Sequence, residues 1–235
     1  MKLNTNSNTY ILAYASLLVI AVAFVLAYFS QALKPIQDKN VALDKKKQII
    51  AALNIRDVND NQVEEYYNKL VEADEIINEK NEVLSAGKPG GENDGFKLNG
   101  GDFKAGKLAL FVCNVDGQKK YVMPVYGMGL WGGISGYIAI NADKETIYGV
   151  YFNHEGETAG LGAEIKDDQK WQQKFCGKYL FADGNQDAVA LSVCKKVDNT
   201  ATQVNGVSGA TLTCDGVTRM IHEGLGKYLV FLKDK

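Results

Sequence analysis

The N-terminal part of the chain contains a long apolar segment without charge. Residues 10–29 (YILAYASLLVIAVAFVLAYF) include no charged side chain, and only Lys2 is charged before residue 34. A helix of this length rises about 30 Å, which matches the hydrocarbon core of a membrane. The segment therefore predicts a single transmembrane helix at residues 10–29 after a short tail at residues 1–9. Aromatic side chains near its ends suit the membrane interface: Tyr10, Tyr14, Tyr28 and Phe29.

A cleaved signal peptide is the alternative for this segment. Lys2 supplies a positive start, and Ser30 to Ala32 resembles a permissive cleavage site. The apolar stretch is longer than the 7–15 residues usual in signal peptides, which favours an uncleaved anchor. Orientation stays open, because Lys34, Lys39 and the lysines at 45–47 follow the segment. The positive-inside rule would place the remainder in the cytoplasm, but it weakens for long translocated domains.

The remainder has the composition of a folded domain with no evident preference for nucleic acid. The chain is 46% apolar and 10% aromatic, enough for a core, and its formal net charge is −2 without a basic stripe. The two histidines, His154 and His222, have no cysteine or aspartate at metal-ligand spacing. The four cysteines contain no CxxC pair, which argues against an iron–sulfur cluster, and they permit three disulfide pairings: Cys113, Cys176, Cys194 and Cys214.

A glycine-rich break divides this remainder. Residues 30–106 predict a helical stalk followed by a glycine-rich loop over 86–106, and residues 107–235 predict the main domain. The stalk helix is inferred from apolar residues near helical spacing: Val63, Tyr67, Leu70, Val71, Ile76 and Ile77.

Paired strands dominate the predicted domain. Strands are predicted at 107–114 and 120–126, joined by the Asp116-Gly117 turn, and at 135–141 and 146–153. A helix over 167–175, a strand over 188–194 and a final helix over 216–232 complete an α+β domain of antiparallel strands and helices.

Two segments point to ligand chemistry. The first is Ser208-Gly-Ala-Thr-Leu-Thr213, because small residues and hydroxyls before a helix suit a phosphate group. A turn with an N-cap from Thr213 or Asp215 is the purely structural alternative. The second is His154-Glu-Gly-Glu-Thr-Ala-Gly-Leu-Gly162, which follows a strand and matches neither the P-loop nor the dinucleotide fingerprint.

These segments carry a resemblance to a known family. The N-terminal span, Gly129-Leu-Trp131 with Gly136-Tyr137, the Glu157–Gly162 loop and Ser208-Gly-Ala-Thr211 resemble the C subunit of the Na⁺-translocating NADH:quinone oxidoreductases. The resemblance implies a membrane-anchored flavoprotein that carries FMN through a phosphoester bond to Thr211. It implies electron transfer from an iron–sulfur centre to the flavin of a neighbouring membrane subunit, without an NADH site or a catalytic acid or base in this chain.

The resemblance also implies a set of flavin contacts. Thr158 and Leu161 would contact the flavin ring, and Gly160 and Gly162 would let the backbone approach it. Trp131 would stack on the ring, although such a tryptophan also serves as a core or interface anchor. Lys195 would stabilise negative charge, with a solvated surface residue as the alternative. The remaining cofactor-binding positions belong to the threonine motif itself: Ser208, Gly209, Ala210, Leu212 and Thr213.

The family also implies how the flavin is attached and where the protein resides. A threonine hydroxyl needs a base to act as a nucleophile, and a separate flavin transferase supplies it in this family. The motif for that enzyme usually has an aspartate three residues before the serine, where this chain has Asn205. The expected location is the bacterial inner membrane, beside the other subunits, with the FMN domain in the periplasm. The alternatives are the G subunit of an Rnf-type ferredoxin:NAD⁺ complex and a membrane-tethered binding module without a cofactor.

Overall fold

The computed structural model describes residues 7–183 and 185–234. The chain forms two compact units, Met1–Asp44 and Lys45–Lys235. Helix α1 (Asn8–Ala52) begins in the first unit and ends in the second. Among the described residues it is the one helix long and apolar enough to cross a membrane. Its large apolar side chains from Ile11 to Val41 are exposed, whereas those at its C-terminal end are buried. The predicted apolar helix at 10–29 is confirmed as part of α1, whereas residues 1–6 of the predicted tail lie outside the described residues.

The second unit consists of a sheet with helices. Its helices and strands follow in this order: α2 (Asp60–Leu70), β1 (Val71–Ile77), β2 (Val83–Ser85), a 3-10 turn (Gly95–Lys97), α3 (Gly100–Lys104), β3 (Leu108–Val115), β4 (Gln118–Met128), β5 (Gly133–Asn141), β6 (Ile147–His154), α4 (Glu164–Asp167), α5 (Gln169–Gln173), β7 (Ser192–Cys194), β8 (Gln203–Asn205), α6 (Thr211–Gly226) and α7 (Leu229–Lys233).

Six strands form one sheet in the order β2-β1-β3-β4-β5-β6, and each neighbouring pair is antiparallel. Strands β7 and β8 form a separate parallel pair. The turn between β3 and β4 has positive φ at both central residues, 52° at Asp116 and 80° at Gly117. This conformation matches the right-handed twist of a hairpin, and aspartate and glycine tolerate it best. The predicted α+β class with antiparallel strands is confirmed.

Apolar side chains are buried on both faces of the sheet. Val125 of β4 and Ile138 of β5 belong to one core with Val217 and Ile221 of α6. Residues of opposite parity, such as Phe111 of β3, point to the other face because side chains alternate along a strand. Helix α2 packs against β1 and β3, and buried side chains come from α2 and the end of α1: Ile49, Ile50, Val63 and Tyr67. Residues 45–52 and 60–70 therefore help to form the domain.

The glycine-rich loop is built around a buried carboxylate. Asp74 of β1 is fully buried and accepts N–H groups from Lys88 (3.1 Å), Asp94 (3.0 Å) and Phe96 (3.3 Å). A Cβ at Gly91 would lie 1.7 Å from the Asp74 carboxylate, so the close approach requires glycine there. Burying a carboxylate is costly unless hydrogen bonds compensate, and the loop supplies them.

Two sequence-based predictions about the region before residue 107 need correction. Residues 71–77 form a strand instead of a helix. The strand pairing is irregular at both ends of β1. The buried side chains of β1 are three residues apart, at Val71, Asp74 and Ile77, and this spacing resembles that of a helix. The boundary between compact units also falls after Asp44 instead of at residue 106, because residues 45–106 pack into the domain.

Near the C-terminus, the elements differ from the predictions in their limits. The strand predicted over 188–194 is confined to β7, and β8 was not anticipated. The last helix begins at Thr211 instead of 216, and residues 227–228 separate it from α7. The four cysteines are all free thiols, so none of the three disulfide pairings occurs.

Candidate functional site

A cavity of about 200 Å³ lies at the start of α6. Three segments line it: the turn after β4, the loop after β6 and the first turn of α6. Nine of its lining residues are among the predicted cofactor-binding positions: Trp131, Thr158, Leu161, Gly162, Gly209, Ala210, Thr211, Leu212 and Thr213. Residues far apart in the sequence thus meet at one place.

The turn after β4 places two apolar side chains beside the cavity. The N–H of Gly129 donates to the carbonyl of Gly132 at 2.9 Å, which closes the turn. Leu130 is 47% exposed and Trp131 is 69% exposed. Trp131 is therefore not a core residue, and its indole is free to cover a molecule in the cavity.

The loop after β6 uses its glycines in two different ways. Gly160 has φ of +73°, and a Cβ there would meet no atom within 4 Å, so its backbone conformation is what favours glycine. At Gly162 a Cβ would lie 2.5 Å from a carboxylate oxygen of Glu157 and 2.6 Å from the Thr213 hydroxyl. The close approach at Gly162 is therefore made to the protein's own side chains.

The first turn of α6 is open to the cavity. Ala210 is the N-cap residue, and its position has no side-chain capping hydrogen bond. Thr213 and Asp215 lie inside α6, so neither forms the N-cap of the purely structural alternative. The first N–H groups of a helix lack partners inside the helix and favour an anion. Thr211 is exposed at this end, beside Leu212, which is 58% exposed.

Two lining residues, Leu130 and Glu157, are not among the predicted positions, and Glu157 makes the polar contacts of the site. Its side chain is 7% exposed, Oε2 accepts the Thr213 hydroxyl at 2.5 Å, and Oε1 accepts the N–H of Trp131 at 2.9 Å. Burial raises the pKa of Glu157, but the Thr213 hydroxyl and the N–H groups of residues 130–132 outweigh it and hold the pKa below the ordinary value. The available signal was a carboxylate among glycines directly after a strand.

The structure places three predicted residues outside this cavity. Ser208 and Gly160 do not line it, and Lys195 is an exposed residue just after β7. Asn205 ends β8 with an exposed side chain, while its carbonyl accepts the indole N–H of Trp171 at 2.7 Å. These four residues therefore do not line the cavity.

A second, larger groove contains none of the predicted residues. It measures about 610 Å³ and is lined by α3, the ends of β4 to β6 and one side of α6.

The two histidines are hydrogen-bonded to backbone groups: Nδ1 of His154 accepts the N–H of Glu157 at 3.2 Å, and Nε2 of His222 lies 3.0 Å from the carbonyl of Leu191. The described residues contain no group of metal-ligand side chains.

Comparison with known proteins matches this part of the chain to a cofactor-binding family. Residues 129–226 match the FMN-binding domain family. The match begins at the turn before Trp131 and ends with α6, so it includes the whole lining of the smaller cavity.

Whole-chain relatives and solved structures agree with one another. The C subunit of the Na⁺-translocating NADH-quinone reductase of Haemophilus ducreyi is 31% identical, over 99% of this chain and 97% of that protein. Its counterpart in Pseudomonas aeruginosa is 28% identical, over 95% and 94%. A crystal structure of the C subunit from Parabacteroides distasonis has a TM-score of 0.78 and 36% identity, over 86% of this chain and 98% of that one. This chain therefore belongs to the family of C subunits of the Na⁺-translocating NADH-quinone reductases.

Proposed function

We propose that this chain carries FMN in the cavity at the start of α6, attached through a phosphoester to Thr211, and passes electrons within the membrane complex. The observation that supports this most strongly is the exposed Thr211 hydroxyl at an uncapped helix start, in a cavity rimmed by apolar side chains. The uncapped helix start with its hydroxyl suits a phosphate, and the apolar rim suits a flat aromatic ring.

The lining of the cavity suits both parts of FMN. For the phosphate, the start of α6 offers N–H groups and the positive end of the helix dipole. Gly209, with φ of +76°, turns the chain into α6, and a Cβ there would lie 2.7 Å from Leu161. For the ring, the exposed side chains of Trp131, Leu161 and Leu212 offer apolar surface.

The residues of the site bind and orient, while bound FMN supplies the electron-carrying chemistry. Glu157 already binds the Thr213 hydroxyl and the Trp131 N–H, so it is committed to those partners. Attachment of the phosphate to Thr211 is accordingly assigned to a separate flavin transferase, which would recognise the segment from Asn205 to Thr211. The exposed side chain of Asn205 is accessible to such an enzyme but lacks the charge of aspartate.

Within the complex, the chain would be anchored by residues 10–29, with its FMN domain on the periplasmic side of the inner membrane. The lysines at 45–47 form contacts within the domain. Lys45 donates to the carbonyls of Phe96 and Leu98, and Lys46 pairs with Glu64 and Glu92 at 3.1 and 2.6 Å. The fold therefore accounts for these lysines, which weakens the charge argument for a cytoplasmic domain.

Covalent attachment is tested with the full chain co-expressed with a flavin transferase in a bacterial host. After denaturation in SDS, we expect flavin fluorescence in the protein band of the parent and of Thr211→Ser, which keeps a hydroxyl. Thr211→Ala should give a dark band, because the attachment atom is gone. A dark parent band would refute the proposal, provided that the transferase labels a control protein; so would a fluorescent Thr211→Ala band.

A further inference from the structure

Glu157 joins the three segments that line the cavity. The residue belongs to the loop after β6, and its carboxylate accepts the N–H of Trp131 in the turn after β4 and the hydroxyl of Thr213 in α6. Its own N–H donates to His154 at the end of β6. The carboxylate therefore fixes the distance between the turn that bears Trp131 and the helix that bears Thr211.

The packing leaves this carboxylate little freedom. A Cβ at Gly129 would lie 2.4 Å from Oε1, and a Cβ at Gly162 would lie 2.5 Å from Oε2. Each oxygen therefore lies against a glycine that has no room for a side chain, and Glu157 is buried although the cavity beside it is open. A buried group with both oxygens hydrogen-bonded keeps one geometry, because leaving either donor unpaired carries a desolvation cost.

Trp131 depends on this contact for its position. Its side chain is 69% exposed, so packing around the ring contributes little to fixing it. The hydrogen bond from its N–H to Oε1 and the closure from Gly129 to Gly132 hold the backbone of the turn instead. Losing the carboxylate would free the turn and, with it, the indole at the edge of the cavity.

We propose that Glu157 is a positioning residue for the flavin site, which holds Trp131 against the flavin ring by tying its turn to the first turn of α6. The inference rests on the proposed function, since it needs FMN on Thr211. An indole in contact with a flavin ring quenches the fluorescence of that flavin. The emission of the native protein therefore reports the position of Trp131, and the emission of the denatured band reports attachment.

The test compares native and denatured emission in four full-length proteins carrying FMN: the parent, Glu157→Ala, Trp131→Ala and the double variant. We expect equal emission from all four denatured bands. In the native state, Trp131→Ala should lose the quenching, Glu157→Ala should lose it to a similar extent, and the double variant should show no further gain. Glu157→Gln should keep the quenching, because its amide can accept from Trp131 and donate to Thr213.

Several results would overturn the inference. Unquenched emission in the native parent, an unchanged emission in Glu157→Ala, or additive effects in the double variant would each contradict it. If Glu157→Ala does not fold, Thr213→Val removes the hydroxyl donor while keeping the side-chain shape, and it should lose part of the quenching; no change would count against the proposal. A dark denatured parent band would instead mean that the proposed function has failed.

Discussion

The first part of the glycine-rich loop, residues 86–98, and the cavity at the start of α6 are organised by the same kind of group, a buried carboxylate. Asp74 accepts three backbone N–H groups from the loop, and Glu157 accepts the N–H of Trp131 and the hydroxyl of Thr213. In both places, glycines lie where a Cβ would overlap the carboxylate. Both regions therefore combine a buried acidic residue with glycines packed against its carboxylate.

The regions differ in what surrounds the carboxylate. Asp74 is fully buried and the loop closes over it, whereas Glu157 stands in the wall of an open cavity. The rim of that cavity exposes large apolar side chains, and exposed apolar clusters mark binding sites more often than structural loops. They are Leu130, Trp131, Leu161 and Leu212. Glycine content alone does not separate a structural loop from a binding site, but the exposed apolar rim does.

The largest expected effect is on the structural side of this comparison. Asp74→Ala leaves three loop N–H groups without their acceptor, so we expect a loss of about 3 kcal/mol in the free energy of unfolding. Urea unfolding of the full chain in detergent, followed by tryptophan fluorescence, measures it, because unfolding exposes the buried Trp171. Asp60→Ala is the control, because this carboxylate is 69% exposed in its pair with Lys47 and should change stability by less than about 1 kcal/mol. Equal effects of the two substitutions would contradict the role of Asp74.

A smaller effect is expected at the wall of the cavity. Gly162→Ala forces a methyl group against Glu157 and Thr213 and should cost about 1–2 kcal/mol in the free energy of unfolding. Gly156→Ala, in the same loop, meets no atom within 4 Å and should be neutral or slightly stabilising. The same unfolding assay compares them. Equal stability of the two variants would show that Gly162 is not constrained by Glu157.

The loop region should also respond to alkaline pH. Burial lowers the pKa of Lys45 to about 8, partly offset by Asp102. Between about pH 8 and 10 the unfolded chain keeps a proton that the folded chain has released, so this group makes stability rise with pH, by at most about 1.4 kcal/mol per unit. Lys45→Met does not titrate at this position and should lack that rise. The parent should therefore gain stability relative to the variant between about pH 8 and 10. A difference that does not vary with pH would contradict the burial of this ammonium group.

At the cavity, Glu157 should make the stability depend on acid pH, with a smaller effect than that of Lys45 in alkali. The pKa of Glu157 lies below its ordinary value, because hydrogen bonds from Thr213 and the 130–132 turn outweigh the effect of burial. This group therefore contributes stability above its unfolded pKa, and that contribution is lost as the pH falls through its folded pKa. Glu157→Gln, which does not titrate, should be less stable than the parent at neutral pH and approach it in acid. A constant difference from neutral to acid pH would contradict an ionised Glu157.

The sequence predicted features that depend on neighbouring residues. The Asp116-Gly117 hairpin follows from two residues that tolerate positive φ, and the apolar helix follows from composition alone. Strand β1 could not be predicted in this way, because it pairs with β3 across more than 30 residues and its bulges imitate helical spacing. Long-range pairing overrides local pattern in such strands.

The same limit applies to the site. The segments 157–162 and 208–213 were singled out by their small and hydroxyl residues and by the family resemblance. The contact between Glu157 and Thr213 joins residues 56 positions apart, and no local pattern records it. Asp74 is comparable, since its partners are 14 to 22 positions away. Buried carboxylates that organise distant backbone therefore need a structure to be recognised.

The covalent attachment of FMN to Thr211 is tested most directly by the mass of the full chain, isolated after co-expression with an active flavin transferase. We expect a mass increase equal to one FMN less one water, and fragmentation should place it on Thr211 at the uncapped start of α6. Thr213, whose hydroxyl is bound to Glu157, should remain unmodified. An unmodified chain, or FMN on Thr213 or Ser208, would contradict the assignment of this cavity.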